Sequence, residues 1–149
     1  MIYTIGEMAK QLGIAPSALR YYDKEGLLPF IERSEGGTRI FRDRDYELLK
    51  IIHCLKESGM KLKDIRIFIS LVLEGDASID KRLALFKKQK LSIEKQIEAL
   101  KQTLDTVKYK CWYYEAAKKA GTTQVPENMR DDELPEDMRK IRQRLKKAP

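Results

Sequence analysis

Twelve positions between Ile79 and Lys118 follow one another in alternating steps of four and three: 79, 83, 86, 90, 93, 97, 100, 104, 107, 111, 114 and 118. Ile79, Leu83, Phe86, Ile93, Ile97, Leu100, Leu104, Val107 and Tyr114 are apolar, and Cys111 is compatible with burial. A sustained heptad repeat of this kind specifies a coiled-coil helix. A helix of that span extends about 60 Å, and alone it would expose its whole apolar stripe to water. It needs a partner helix, and the simplest partner is a second copy of the chain, giving a homodimer through residues 79–118. Lys90 interrupts the seam and is placed to set register. Periodicity does not choose between parallel and antiparallel pairing.

That helix organises the rest of the chain into a head at residues 1–75, the helix itself at 76–120 and a tail at 121–149. The head opens with Thr4-Ile5-Gly6-Glu7, the spacing of a capping box. Ile5, Met8, Ala9 and Leu12 then recur at helical spacing up to Gly13. Pro16 suits the first position of a second helix, which runs to about Glu25 and stops at Gly26. Two short helices joined by a tight glycine-containing turn make a helix-turn-helix. Residues 31–33 and 38–41 flank Ser34-Glu35-Gly36-Gly37, which reads as a two-stranded hairpin or wing. A third helix is expected after an Asp43 N-cap, with Leu48, Ile51, Ile52 and Leu55 as its apolar face and Gly59 as its stop. A fourth turns Ile65, Phe68, Ile69 and Val72 inward. The tail holds Pro126 and Pro135, an acidic patch and a basic end with six Lys or Arg among residues 139–147. It reads as partly disordered or helical, with no core of its own.

The second helix carries Tyr21 and Tyr22 side by side in ALRYYDKEGLLP. Helical neighbours point about 100° apart, so one apolar face cannot take both. Ser17, Arg20, Tyr21 and Lys24 share one polar face, while Ala18, Leu19 and Tyr22 face the first helix. Tyr21 is thus a reader and Tyr22 an anchor whose hydroxyl could still touch phosphate. The second helix of such a motif enters the major groove. There Arg20 could reach guanine edges or phosphate, and Tyr21 phosphate or sugar. A solvated polar face on an ordinary amphipathic helix is the plain alternative. Arg33 and Arg39 around the hairpin turn favour the nucleic-acid reading.

Bulk charge alone would not have led there. The net charge is +7 with a pI near 9.3. Yet residues 1–75 hold 12 basic and 11 acidic side chains, against 18 and 12 in the remainder. A DNA-binding head must therefore sort its charges onto one face.

Other classes are set aside. No run of about 18 apolar residues suggests a membrane span. The first residues lack the basic-then-apolar order of a signal peptide, so a cytoplasmic location is expected. Cys54, Cys111 and a single histidine, His53, form no zinc-ligand pattern. In a reducing compartment both thiols stay free. No nucleophile–base set, phosphate loop or carboxylate pair suggests an enzyme, and no cofactor is expected.

The stretch YTIGEMAKQLGIAPSALRYYDKEGLLP, the wing ERSEGGTRIF, the GMKLKDI segment and the long helix together resemble the MerR family of bacterial transcription regulators over roughly residues 1–120. The match is to a short form without a separate effector-binding domain. The resemblance implies a mainly α fold: a winged helix-turn-helix head with a small two-stranded wing, a second helical pair and an antiparallel coiled-coil dimerisation helix. Antiparallel pairing would spread two heads along one face of the duplex, where successive major grooves lie about 34 Å apart. It implies a pseudo-palindromic operator inside an overlong promoter spacer, whose distortion lets RNA polymerase engage both promoter elements.

Carried over by position, Ser17, Arg20, Tyr21 and Tyr22 would be reading-helix contacts. Gly37, Thr38 and Arg39 would be wing contacts, and Thr4 would lie near phosphate at its helix N-terminus. Two departures stand out: Phe41 replaces a frequent tyrosine, and Lys61 stands where Ser or Thr often caps a helix. The lysine could gain a phosphate contact instead.

The inducer stays open. Metal-sensing branches carry paired cysteines near the end of the dimer helix, and only Cys111 lies there. A tail of this length is too short for a drug-binding domain. Cys54 resembles in placement the single reactive cysteine of the thiol-based aldehyde and nitrosative-stress branch. Lys50 and Lys56 could lower its pKa if it is exposed, and a small buried helix residue is the alternative. The aromatic segment around Cys111 could cap the dimer end against the partner's head or border a small-molecule pocket. An architectural DNA-binding role without sensing is the remaining reading.

Overall fold

A computed structural model describes residues 1–147 of the chain, which divide into two compact units between Lys90 and Leu91. The first unit contains strand β1 (Ile2–Tyr3), helices α1 (Ile5–Leu12) and α2 (Pro16–Lys24), strands β2 (Glu32–Arg33) and β3 (Arg39–Arg42), and helices α3 (Asp43–Glu57) and α4 (Leu62–Leu73). A short 3-10 turn at Gly75–Ser78 leads into helix α5 (Ile79–Ala120).

Thr4 caps α1 as its sequence predicts. Its Oγ1 accepts the Glu7 N–H at 3.3 Å, and the Glu7 carboxylate accepts the Thr4 N–H at 2.7 Å. Gly13 ends the helix with φ 68°, a left-handed conformation that lets the chain turn sharply into α2. The wing closes around Ser34–Thr38, with Gly37 at φ 78° and the Ser34 N–H donating to the Thr38 carbonyl at 2.8 Å.

The expected two-stranded wing forms as β2 and β3, and β1 adds a third strand to its sheet. β3 is central, pairing with β2 through Arg33↔Arg39 and with β1 through Tyr3↔Phe41. A two-residue strand before the first helix has too little alternation to be legible in sequence. Its edge position satisfies the backbone groups that β3 would otherwise leave unpaired.

The core of this unit joins Met8, Ala9, Leu19, Tyr22, Leu27 and Leu28 to Phe41, Leu49, Ile52, Leu55, Ile65, Phe68 and Ile69. Burying side chains of this size contributes about 1.5–3 kcal/mol each. Phe68 also meets Phe86 of α5 edge-on, with ring centroids 5.3 Å apart.

Two expectations for α3 need correction. Arg42, not Asp43, is the N-cap residue, and its N–H donates to Asp45 at 2.8 Å. Asp43 instead accepts the Tyr3 hydroxyl at 2.6 Å across the β1–β3 pair. The buried face is Leu49, Ile52 and Leu55, with Leu48 half-buried and Ile51 exposed. The sheet and α4 cover the helix from a direction that periodicity leaves ambiguous by one residue. On α4, Ile65, Phe68 and Ile69 are buried and Val72 half-buried, and Leu71 joins them.

The second unit holds α5 from Leu91 onward, α6 (Gln124–Asn128), a 3-10 turn at Asp131–Glu133 and α7 (Glu136–Lys147). Here the tail differs from expectation. Leu134 and Ile141 bury themselves against Tyr109, with Trp112, Met129 and Met138 packed around them. Arg144 donates to Asp105 at 3.0 Å and to the Gln102 carbonyl at 3.2 Å, tying α7 to α5. Arg142, 15% exposed, donates to the Met129 carbonyl at 2.7 Å. The tail's apolar residues are few and widely spaced, and they form a core only with help from the aromatic segment of α5. Tyr109 and Trp112 are thus covered by this chain's own tail.

Around α5, Gln102, Asp105, Tyr109 and Trp112 form the face that meets the tail. Leu104, Val107 and Cys111 lie about 140–160° away from Tyr109. The heptad stripe therefore stays open: Ile97, Leu100, Leu104, Val107 and Tyr114 are all exposed, as is Cys111.

Among the described residues, no helix is long and apolar enough to cross a membrane, and no group of His, Cys, Asp and Glu is placed to hold a metal ion.

Candidate nucleic-acid interface

Helix α2 divides as helical geometry requires. Leu19 is fully buried and Tyr22 nearly so, while Ser17, Arg20, Tyr21 and Lys24 are exposed. The two tyrosine rings lie 6.0 Å apart at 57° and serve different surfaces. The Tyr22 hydroxyl meets His53 Nδ1 of α3 at 2.7 Å. Burial raises the pKa of this hydroxyl above the ordinary tyrosine value, and the nearby Glu57 and Tyr21 add to the effect. It stays protonated and already has a partner. His53, half-buried on α3, fastens the reading helix to that helix.

On the wing, Gly37 and Thr38 are exposed and Arg39 is half-buried. Arg39 is not a free cation. Its Nε donates to Asp23 at 2.8 Å and its terminal amine makes a second bond to the same oxygen. Arg33 donates to that oxygen from the other strand at 2.7 Å, and to the Gly37 carbonyl at 3.3 Å. Burial pushes the Asp23 carboxyl upward in pKa, but the hydrogen bonds and charges of Arg39 and Arg33 outweigh it and hold Asp23 below the usual carboxylate range. Glu32 makes a second cluster, accepting Arg42 at 2.7 Å and also Arg44.

The other residues singled out in the sequence are more scattered. Thr4 is exposed at the start of α1, but its N–H and its hydroxyl both donate to Glu7, at 2.7 and 2.8 Å. A phosphate there would compete with Glu7. Lys61 is exposed at the N-cap of α4 and makes no side-chain capping bond. Phe41 is fully buried beneath the sheet. Cys54 is exposed on α3, one turn before Ser58, whose N–H donates to the Cys54 carbonyl at 2.9 Å. Lys50, expected to bear on that thiol, lies with its ammonium 5.9 Å from the centroid of the Tyr46 ring.

Three residues that the sequence did not single out join elements of this unit. Asp23 joins wing to reading helix. Arg66 of α4 donates to the Glu25 carbonyl at the end of α2 at 2.7 Å. Gln89 of α5 donates to the Ser58 hydroxyl at 2.8 Å. An acid among the basic residues of a reading helix was the only available signal for Asp23. The other two depend on side chains meeting across elements distant in sequence. The assembled surface offers a polar helix face, an adjoining basic wing and a helix N-terminus. These suit a groove and its phosphates.

Known proteins are similar to this chain in sequence and fold. The model of the MerR HTH family regulatory proteins matches residues 3–71, and the MerR DNA-binding model matches residues 46–108. An uncharacterized HTH-type transcriptional regulator of Haemophilus influenzae is 43% identical over 133 residues, spanning 85% of this chain and 98% of its own. HiNmlR, described as a MerR family regulator lacking the sensor domain, has been solved bound to promoter DNA. It is similar with a TM-score of 0.77 and 42% identity over 87% of this chain and 98% of its own. A MerR family transcriptional regulator from Bacillus thuringiensis gives a TM-score of 0.69 and 40% identity, covering 74% and 97%.

Proposed function

This chain belongs to the MerR family of helix-turn-helix regulators and is a DNA-binding transcription regulator, not an enzyme, and from that premise we propose how it works. It binds promoter DNA in the cytoplasm as a homodimer paired through residues 79–118. The observation that carries the DNA reading is the split of α2: Leu19 and Tyr22 are buried, and Ser17, Arg20 and Tyr21 are exposed beside a wing bonded to the same helix. Arg20 and Tyr21 read the groove, Ser17 and Lys61 approach the backbone, and Gly37, Thr38 and Arg39 follow the flanking strand. Tyr22 orients the helix through its hydroxyl. Thr4 contributes to the backbone only when phosphate displaces Glu7.

The dimer rests on the open stripe of α5, which a monomer would leave in water. Antiparallel pairing would set two heads on a pseudo-palindromic operator. Bending and untwisting an overlong spacer costs several kcal/mol, which protein–DNA contacts must offset. RNA polymerase then reads the distorted promoter. Similarity to a regulator that lacks a sensor domain and is bound to promoter DNA supports this scheme. Footprinting combined with transcription in vitro from a long-spacer promoter tests it. Activation or repression on operator binding is expected. Binding without any effect on transcription would leave an architectural DNA-binding protein.

For the input, the exposure of Cys54 favours a thiol-reactive signal, an aldehyde or an oxidant, at α3. A small molecule at the end of the dimer helix is the second reading. It is weakened where the tail already covers Tyr109 and Trp112.

A further inference from the structure

Asp23 stands where two electrostatic rules disfavour an acid. It lies in the last turn of α2, beside the negative end of the helix dipole. It also belongs to the helix that offers Arg20 and Tyr21 to a polyanion, and a carboxylate there repels phosphate. Its side chain is 13% exposed, and a single oxygen, Oδ2, takes every bond. Arg33 donates to it from β2, and Arg39 donates twice from β3. These arginines are cross-strand partners immediately flanking the wing turn, so one carboxylate grips both strands of the hairpin.

We infer that Asp23 is a specificity-determining positioning residue: it holds Arg33 and Arg39 in one arrangement beside the reading helix, weakening non-specific attraction to the phosphate backbone while fixing the register of wing and helix on the operator. The inference rests on the operator-binding reading above. Without the carboxylate, two long flexible arginines are free to meet phosphates in many registers. Each phosphate newly neutralised steepens the salt dependence of binding by about 0.9. Any duplex gains from that, whereas the operator loses the benefit of a pre-set geometry. Asp23 therefore acts on the ratio of specific to non-specific affinity rather than on affinity as such.

The test uses the full chain, an operator selected by the wild-type protein from a random duplex pool, and a scrambled duplex of equal composition. Both duplexes are titrated at several salt concentrations with wild type, Asp23→Asn and Asp23→Glu. With Asp23→Asn, scrambled-duplex binding should tighten about three-fold or more, and its salt slope should steepen by about 1–2, for one or two freed arginines. The preference for operator should fall about ten-fold. Asp23→Glu retains the charge and should keep the wild-type slope and most of the preference. Equal loss of affinity for both duplexes, an unchanged preference in Asp23→Asn, or a glutamate variant as defective as the asparagine one would overturn the assignment. If Asp23→Asn fails to fold, Arg33→Gln removes one arm of the clamp at a half-exposed arginine. It should lower the preference about three-fold without steepening the slope, and an unchanged preference counts against Asp23. Should the wild-type protein select no sequence at all, it is the operator reading that falls. If wild type discriminates and the variants do so equally, only the role of Asp23 falls.

Discussion

Asp23 and Arg39 are bonded twice through one carboxylate oxygen, joining the last turn of the reading helix to the first residue of the wing's central strand. This pair has a consequence for acid stability. The Asp23 pKa is lower in the folded chain than in the unfolded one, where a carboxyl titrates near about 3.9. The bond therefore stabilises the fold fully above that value. The contribution fades as pH falls through the lower folded value. Denaturant unfolding of wild type and Asp23→Asn from about pH 6 to pH 2 should show two curves that converge at the acid end. A constant gap across that range would argue against the depressed pKa.

The two tyrosines of α2 should respond differently to loss of their hydroxyls. Tyr22→Phe leaves His53 without its partner and should cost about 0.5–1.5 kcal/mol of folding stability, with little change in operator affinity at saturation of folding. Tyr21→Phe should do the reverse. Paired denaturation and binding titrations separate the two, and identical behaviour would erase the distinction between reader and anchor.

Arg20→Ala should weaken operator binding by about 1–3 kcal/mol and relax sequence preference at the base it meets. Its side chain is exposed, so the melting temperature should hardly move. Unchanged affinity in a gel-shift or anisotropy titration would remove α2 from the groove.

The open stripe of α5 predicts that Leu104→Lys converts a dimer to a monomer in sedimentation equilibrium. Tyr109→Ala, on the opposite face, should instead loosen α7 and leave the dimer intact. Cys111 lies on the stripe and reports direction. In an antiparallel pair the two Cys111 thiols sit toward opposite ends and cannot join, whereas a parallel pair in register brings them together. Rapid disulfide formation under mild oxidation would therefore contradict antiparallel pairing.

Cys54→Ser should abolish any aldehyde or oxidant response in the transcription assay while sparing operator binding. A full response in that variant would return Cys54 to a neutral surface position and move the search for the input to the second unit.

Much of this molecule lies in short-range patterns. The Thr4–Glu7 box, the Gly13 turn, the split of Tyr21 from Tyr22 and the long helix all follow from spacing of three, four or seven. Chain-local physics governs those features: helix periodicity, caps and positive φ angles. Other features have a different cause. Strand β1 forms because β3 has a free edge. Ile51 faces solvent because other elements cover Leu49. The tail acquires a core because Tyr109 and Trp112 lack cover on one side of α5. In each case the deciding partner lies far away in sequence.

The same division runs through the site. By itself the sequence determined that a helix-turn-helix would present Arg20 and Tyr21, that a wing would follow, and that an apolar stripe would demand a partner. Only the tertiary structure decided which charges are available to a ligand. Arg39 and Arg33, which look free in the chain, already donate to Asp23. The physical reason is that hydrogen bonds and ion pairs depend on positions within a few ångströms. Burial patterns survive an error of that size, and pairings do not.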